Sequence, residues 1–419
     1  MAGVTDDTLN GGVRAGTVSF GVIADVQYAD APDGSDFKKT VVRRYRNSLN
    51  ILKAAVEDWM ASKETGGIKM VLQLGDLLDG RCAKIQTCDK MNCLKSVLDV
   101  LEKIPSNVPR FDLIGNHELY LFAREQLNDS AKSPLQSARF DPVLGTESTW
   151  YSYVVSPGFR VVVLDAYDIS TLNGARSPQT EEAFKYLEQH NPNDTRRFGV
   201  DWTTGLSGLD LRNVPYNGSI GNSQLEWLAE TLVLALESNE KCVLASHVSF
   251  IPGSNSMSCV VWNYQEVLDV LWNPRGWKAG NGNGKRESVT TFSETPVIAC
   301  MYGHSHKGGS CVDPRGIVHI TFQAPLEAVG DSVAYATVHV DLVEGKMIVD
   351  GKGSVPSRTC GFPPIASDIP SGGVTDAEAV QYLQEHVDGL GEEEAKAALS
   401  EVMGNRREAI ARLKAKLRG

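Results

Sequence analysis

Runs of apolar, largely β-branched residues alternate along this chain with apolar stripes at helical spacing, and few folds are open to a polypeptide patterned in this way. The runs are TVSFGVIA (17–24), IKMVLQLG (68–75), RFDLIG (110–115), TWYSYVVS (149–156), FRVVVLDA (159–166), KCVLAS (241–246), VIACMYG (297–303), YATVHVDL (335–342) and KMIVDGKG (346–353). Between them Tyr45, Leu49, Leu52, Val56 and Trp59 share one helical face, and Leu225, Leu228, Leu232 and Leu236 share another behind an expected N-cap at Asn222 or Ser223. Ser156-Pro157-Gly158 predicts a hairpin turn, so part of the sheet structure must be antiparallel. An α/β architecture follows, and 419 residues suffice for one large domain with a smaller second one.

The composition breaks at GSVPSRTCGFPPIASDIPSGG (353–373), rich in Pro, Gly and Ser. Beyond it Thr375 and Glu378 form a capping box, and Val380, Leu383 and Val387 open a helical stripe. Two more short helices carry Ala395, Leu399 and Val402, then Ile410, Leu413 and Leu417. The expected organisation is an N-terminal tail (1–16), a large α/β domain (17–358), a linker (359–374) and a three-helix domain (375–419).

Five strand ends carry the chemistry: Asp25 with Gln27, Asp76 in GDLLD, Asn116 and His117 in GNHE, His247 in SH, and His304 with His306 in GHSH. In open α/β sheets ligands collect beyond the carboxyl ends of strands, so these side chains are expected to converge. Each has an ordinary reading alone: an Asp at a strand end caps turns, Gly-Asn starts them, and a single Gln is a hydrogen-bonded polar residue. Two imidazoles on alternate residues after a buried strand are harder to dismiss, because they point the same way and burying them without a task is costly. Acid, amide and imidazole together suit divalent cations such as manganese, magnesium, iron or zinc. His319 and His339, within strands, read as structural, and His190 and His386 as surface residues.

In this order the motifs resemble the calcineurin-like metallophosphoesterase superfamily, whose pattern is D-x-H, GD-x-x-D, GNH-D/E, H and GH-x-H, from about Ser19 to Pro325. One departure, Gln27 in place of the histidine, narrows the resemblance. ADVQYAD, RRYRNSL, GFRVVVLDAYD, NGSIGNSQLEWL, SHVSFIPG and VVWNY are similar to the manganese-dependent ADP-ribose/CDP-alcohol diphosphatases, in which this glutamine is usual. The resemblance implies a four-layer α-β-β-α sandwich of two mixed sheets, with a dinuclear centre of two divalent ions, manganese first and magnesium, iron or zinc as alternatives. It implies Asp25, Gln27, Asp76 and His306 as ligands of one ion, and Asp76, Asn116, His247 and His304 as ligands of the other. It also implies that hydroxide made available by the two ions attacks the pyrophosphate of ADP-ribose or a CDP-alcohol, with His117 and Asn116 in the catalytic group. Asp79 and Glu118 are expected to support the histidines. Phe37 and Cys259 resemble positions lining the nucleoside side of the pocket, with a loop residue covering the core as the equal alternative for Phe37, and Arg43 and Arg44 read equally as neutralising the second phosphate or as a solvated helix start.

Other activities stay open on these residues: a cyclic-nucleotide phosphodiesterase or phosphomonoesterase with the same metals, or a non-catalytic adaptor acting through the C-terminal helices. Those helices resemble a ubiquitin-associated domain in AALSEVMGNRREAIARL, but HVDGLG replaces the usual Met-Gly-aromatic contact, which argues against ubiquitin as the partner. A net charge of -11 argues against nucleic acid or an anionic membrane as the main partner, and the diphosphatase resemblance implies nucleoside diphosphate-linked small molecules instead. The polar, acidic MAGVTDDTLN start and the lack of a spanning apolar run point to a cytoplasmic protein. The sequons at Asn128, Asn193 and Asn217 then read as accidental. Cys82, Cys88 and Cys93 cluster without a CxxC spacing or a nearby histidine, so they read as ordinary thiols, with a structural zinc as the alternative.

Overall fold

The fold is known from a computed structural model, which describes residues 16–36, 38–62, 67–83, 88–174, 177–278 and 294–363. Its main strands are β1 (Thr17–Ile23), β2 (Met70–Gln73), β3 (Arg110–Asp112), β4 (Tyr151–Ser156), β5 (Phe159–Leu164), β6 (Lys241–Ser246), β7 (Val297–Tyr302), β8 (Gly309–Val312), β9 (Val318–Thr321), β10 (Ala334–Asp341), β11 (Lys346–Gly353) and β12 (Arg358–Gly361). They form two six-stranded sheets, ordered β12-β11-β10-β1-β2-β3 and β8-β9-β7-β6-β5-β4. Both are mixed: β1, β2 and β3 run parallel while β10 is antiparallel to β1. In the second sheet β5, β6, β7 and β9 run parallel and β4 and β8 close the edges antiparallel.

Strand alternation explains the layering. Phe20, Val22, Met70, Leu72 and Phe111 on one inner face meet Phe159, Val161, Val163, Val243, Ala245 and Met301 on the other. The opposite faces of both sheets pack on helices: Ile23 and Val71 share a core with Ile51, Leu52, Ala55, Val56 and Trp59 of helix Tyr45–Ala61. Val162, Leu164 and Leu244 share one with Leu225, Leu228 and Leu232 of helix Asn222–Glu237. The four-layer α-β-β-α sandwich is therefore as expected. Trp59 fixes the first helix at close range, because its indole donates to the Ala336 carbonyl and a Cβ on Gly21 would lie 2.5 Å from its ring.

Some local expectations are corrected. Edge strands β8 and β12, GSCV and RTCG, are short and Gly-bearing and lack readable alternation. Because β12 pairs with β11, the sheet runs past the boundary expected at residue 358. Helix Asn222–Glu237 starts one residue early, with Gly221 at the cap position: the bare Cα admits the Asp168 carboxylate, which accepts from the Gly221 N–H at 3.0 Å. Buried His319 lies between the Tyr302 hydroxyl and Asp313, His339 meets Ser19, and His190 is exposed, all as expected. Among the described residues no helix is long and apolar enough to cross a membrane. The expected three-helix domain, with His386, lies outside the described residues.

Candidate metal centre

The parallel strands β1, β2 and β3 of one sheet and β6 and β7 of the other end at the same rim, and the five motifs are the turns that follow them. These turns are conformationally demanding. Asp25, Gln27, Asp76 and His304 all have left-handed backbone, with φ of 49°, 44°, 60° and 67°. Such backbone costs a non-glycine residue roughly 1–2 kcal/mol, and its concentration here marks a site held by its surroundings.

Asp76 is the hub. Its Oδ2 accepts from Gln27 Nε2 at 3.0 Å and lies 3.4 Å from His247 Nε2, while its Oδ1 accepts from the His117 backbone N–H at 2.8 Å. Asp76, His247 and His304 offer donor atoms within 4.8 Å of one another. On the other side Gln27 Nε2 is 2.9 Å from His306 Nε2, which is 3.7 Å from Asp25 Oδ1. The Asp25 carboxylate also accepts from the His304 backbone N–H. Asn116 joins through its side-chain oxygen, which accepts from the buried Tyr167 hydroxyl at 3.2 Å.

Outer hydrogen bonds select the ring nitrogen each histidine turns inward. His247 Nδ1 donates to the Leu74 carbonyl at 2.7 Å, leaving Nε2 facing Asp76. His306 Nδ1 meets Glu327 Oε1 at 2.6 Å, again leaving Nε2 inward. His304 differs, since its Nε2 is 2.9 Å from Asn217 Oδ1, so Nδ1 is the nitrogen left for the centre. His117 Nδ1 accepts from the Gly80 N–H at 2.8 Å, which puts the ring proton on Nε2, 3.9 Å from Asp76.

Two buried donor atoms of the centre have no hydrogen-bond partner: Gln27 Oε1 and His247 Nε2. An unpaired buried polar atom costs about 1–3 kcal/mol, and the Gln27 oxygen and the neutral form of the His247 ring both offer a lone pair, which a cation satisfies. Charge agrees. Burial pushes the Asp25 carboxyl up, and burial would raise Asp76 as well, but His247 and His117 outweigh it and hold Asp76 below the usual carboxylate range. Burial disfavours a charged His247, yet Asp76 and Asp25 push it up to about 9. Burial, then His247, holds His304 well below its ordinary value. The donor set thus fits cations at this site.

Glycine begins three of the motifs for a steric reason. A Cβ at Gly75 would lie 2.3 Å from His247 Nδ1, at Gly115 2.1 Å from Asp76 Oδ1, and at Gly303 2.7 Å from Asp25 Oδ2. Gly115→Ala is expected to fold and to lose about 100-fold in turnover, the scale of a displacement near 1 Å. Steady-state kinetics beside a melting curve checks this, and wild-type turnover would show that the loop relaxes without moving Asp76.

Not every expected neighbour is where it was anticipated. Asp79 does reach a histidine, with Oδ2 3.5 Å from His117 Nδ1. Glu118 does not: its carboxylate accepts from the backbone N–H groups of Asp76, Leu77 and Gly115 and so ties two motif loops together. Arg43 pairs with Glu327 at 3.3 Å behind His306, and Arg44 donates to the Ala328 carbonyl. Both arginines are thus engaged by the 325–328 turn. Cys259 lies beside Ser305, between the two histidines in sequence, and burial pushes its thiol up to about 11. Phe37 lies outside the described residues. Asn217, Glu327 and Tyr167 were not anticipated as site residues. Asn217 is wholly buried, and its Nδ2 donates to the Arg212 and Ser258 carbonyls, so the sequon there is structural, not a surface acceptor.

A model of the calcineurin-like phosphoesterase family matches residues 18–308. The chain is similar to the manganese-dependent ADP-ribose/CDP-alcohol diphosphatase of Oryza sativa subsp. japonica, 35% identical over 87% of this chain and 100% of the rice protein. It is also similar to the protein of that name in Homo sapiens, 36% identical over 82% of this chain and 92% of the human protein. Among solved structures, that of a dimetal phosphatase from Danio rerio covers 82% of this chain and 99% of its own, at 31% identity and a TM-score of 0.67. The motif order, the two-sheet fold, the centre around Asp76 and these likenesses agree: the chain belongs to the calcineurin-like phosphoesterase family and, within it, to the manganese-dependent ADP-ribose/CDP-alcohol diphosphatases.

Proposed function

We propose that this protein hydrolyses the pyrophosphate bond of ADP-ribose and of CDP-alcohols such as CDP-choline, giving a nucleoside monophosphate and a phosphorylated sugar or alcohol, with manganese as the working cation. The observation that carries the reading is the convergence on Asp76 of donors from both sheets, with Gln27 Oε1 and His247 Nε2 buried and unpaired. Asp25, Gln27, Asp76 and His306 would hold one ion, and Asp76, Asn116, His247 and His304 the other. Bound there, two divalent cations supply Lewis acidity to phosphoryl oxygens and lower the pKa of a shared water.

The residues do the rest. His117 presents an Nε2–H at the edge of the centre, with the Gly80 N–H holding the ring through Nδ1, and is positioned to donate to the leaving phosphate oxygen. Glu327, backed by Arg43, sets the His306 ring, and Asn217 sets His304. Tyr120 lies 5.2 Å from the His117 ring, Tyr216 5.8 Å from His304, and Trp202 6.5 Å from Tyr216, so a planar base has aromatic faces to stack on. An intracellular setting is supported by the cysteines, none of which is joined by a disulfide among the described residues.

The test is a substrate panel of ADP-ribose, CDP-choline, a cyclic nucleotide and p-nitrophenyl phosphate with added manganese or magnesium. Preference for the two diphosphates with manganese is expected, and preference for the cyclic nucleotide or the monoester would replace the reading. Gln27 gives a second result. Its amide oxygen is neutral and harder than imidazole nitrogen, which favours manganese and magnesium over zinc. Gln27→His is therefore expected to bind the first ion about ten-fold more tightly and to shift preference toward zinc. Metal content by mass spectrometry and activity against free manganese check it, and identical profiles for both proteins would make Gln27 a bystander.

A further inference from the structure

The structure gathers three sulfurs that the sequence spacing keeps apart. Cys82 sits in the 3-10 turn Gly80–Ala83, Cys88 just before the Asp89 cap, and Cys93 in the first turn of helix Lys90–Leu101. Cys88 Sγ lies 3.5 Å from Cys82 Sγ and 3.4 Å from Cys93 Sγ, and all three sulfurs fall within 4.8 Å of one another. Each residue is at most 5% exposed. The trio differs from the catalytic group in ligand type, and nothing in the hydrolytic chemistry uses it.

We propose that Cys82, Cys88 and Cys93 form a second, structural metal site that takes a thiophilic cation of the zinc class. A tetrahedral ion with metal–sulfur bonds of about 2.3 Å holds its sulfurs about 3.8 Å apart, close to the separations here. Disulfide chemistry suits the group less well, because pairing two sulfurs leaves the third without a role. Ordinary apolar packing accounts for a buried thiol, but not for polar backbone turned onto the group. The Asp30 N–H donates to Cys93 Sγ at 3.4 Å, the kind of outer bond that supports a thiolate ligand. The Cys82 thiol donates to the Tyr28 carbonyl at 3.6 Å, a bond that a metal on the sulfur would replace, and the Cys82 N–H donates to the Asp79 carbonyl at 3.0 Å.

These bonds give the site a task. Tyr28 follows Gln27 directly, and Asp79 faces His117. A cation on the three sulfurs would fasten the turn after GDLLD and the loop after Gln27 to one helix start. A zinc-class cation binds thiolate sulfur, so binding displaces thiol protons and occupancy falls as pH falls.

Cobalt(II) is the probe, because thiolate ligands give it intense charge-transfer absorption that oxygen and imidazole ligands do not. Full-length protein saturated with cobalt(II) is expected to show that absorption, Cys88→Ser to lose it, and Asp76→Ala, altered only in the catalytic group, to keep it. Zinc per chain in Asp76→Ala is expected to stay near one and to drop on acidification. Lack of the charge-transfer band in the cobalt-saturated wild type would overturn the proposal, as would a band that survives in Cys88→Ser. Should Cys88→Ser fail to fold, Cys93→Ala and the wild-type spectrum decide in the same way. A failed substrate panel with an intact thiolate band would overturn the hydrolytic reading and leave this site standing.

Discussion

Asp76→Ala is expected to reduce hydrolysis by at least about 10³-fold and to lower bound manganese in parallel. The carboxylate is the one group shared by both sets of proposed ligands, and it meets Gln27, the His117 backbone and His247 at once. Removing it withdraws a donor from both ions and leaves the Gln27 amide and the His117 N–H without their acceptor in a buried site. Manganese content after desalting, measured beside turnover, checks the linkage. Asp76→Asn separates charge from shape, since it keeps an oxygen in place and loses the negative charge, and it is expected to bind metal weakly with residual activity. Full activity in Asp76→Ala would remove the dinuclear reading.

His117→Ala is expected to behave oppositely with respect to metal. His117 is linked to the centre through its backbone N–H, which alanine retains, so manganese content should match the wild type. Turnover on ADP-ribose and CDP-choline should fall by about 10²–10⁴-fold, the range for loss of a positioned acid. The deficit should shrink on a substrate with a more acidic leaving group, because less protonation is needed there. Asp79→Asn should reproduce a milder form of this defect, since Asp79 only faces the ring from behind. An equal deficit on all leaving groups would recast His117 as a phosphate-orienting residue.

The site was legible where chemistry restricts residue type. Metal-competent side chains come from a short alphabet, and the turns after parallel strands place them at sequence intervals that can be read without coordinates. The supports were not legible. Asn217, Glu327 and Tyr167 reach the centre from connections far from the motifs, and each is a single polar residue with many ordinary uses. Glu118 was legible as a neighbour but not in its task, because the N–H groups it accepts from belong to backbone that pattern reading does not see. The strain at Asp25, Gln27, Asp76 and His304 was invisible for the same reason. The sandwich followed from apolar periodicity, whereas edge strands β8 and β12 escaped because only one side of each is paired, which relaxes the need for alternating residues. The three cysteines were legible as a cluster, with zinc as one reading, but not as sulfurs in mutual contact, because a 3-10 turn and a helix start bring them together.

Asn217 carries a consequence for where such a chain can mature. Its amide nitrogen is spent on two carbonyls and its oxygen on His304, inside a loop with no room for a substituent. The same residue heads an Asn-Gly-Ser acceptor sequence that a glycosylating membrane lumen would modify while the chain was still unfolded. A sugar on that nitrogen and an oriented His304 exclude each other. Export of this sequence through such a lumen would thus force a choice between a glycan and a working centre, and a secreted descendant would have to lose Ser219 or find another partner for the histidine.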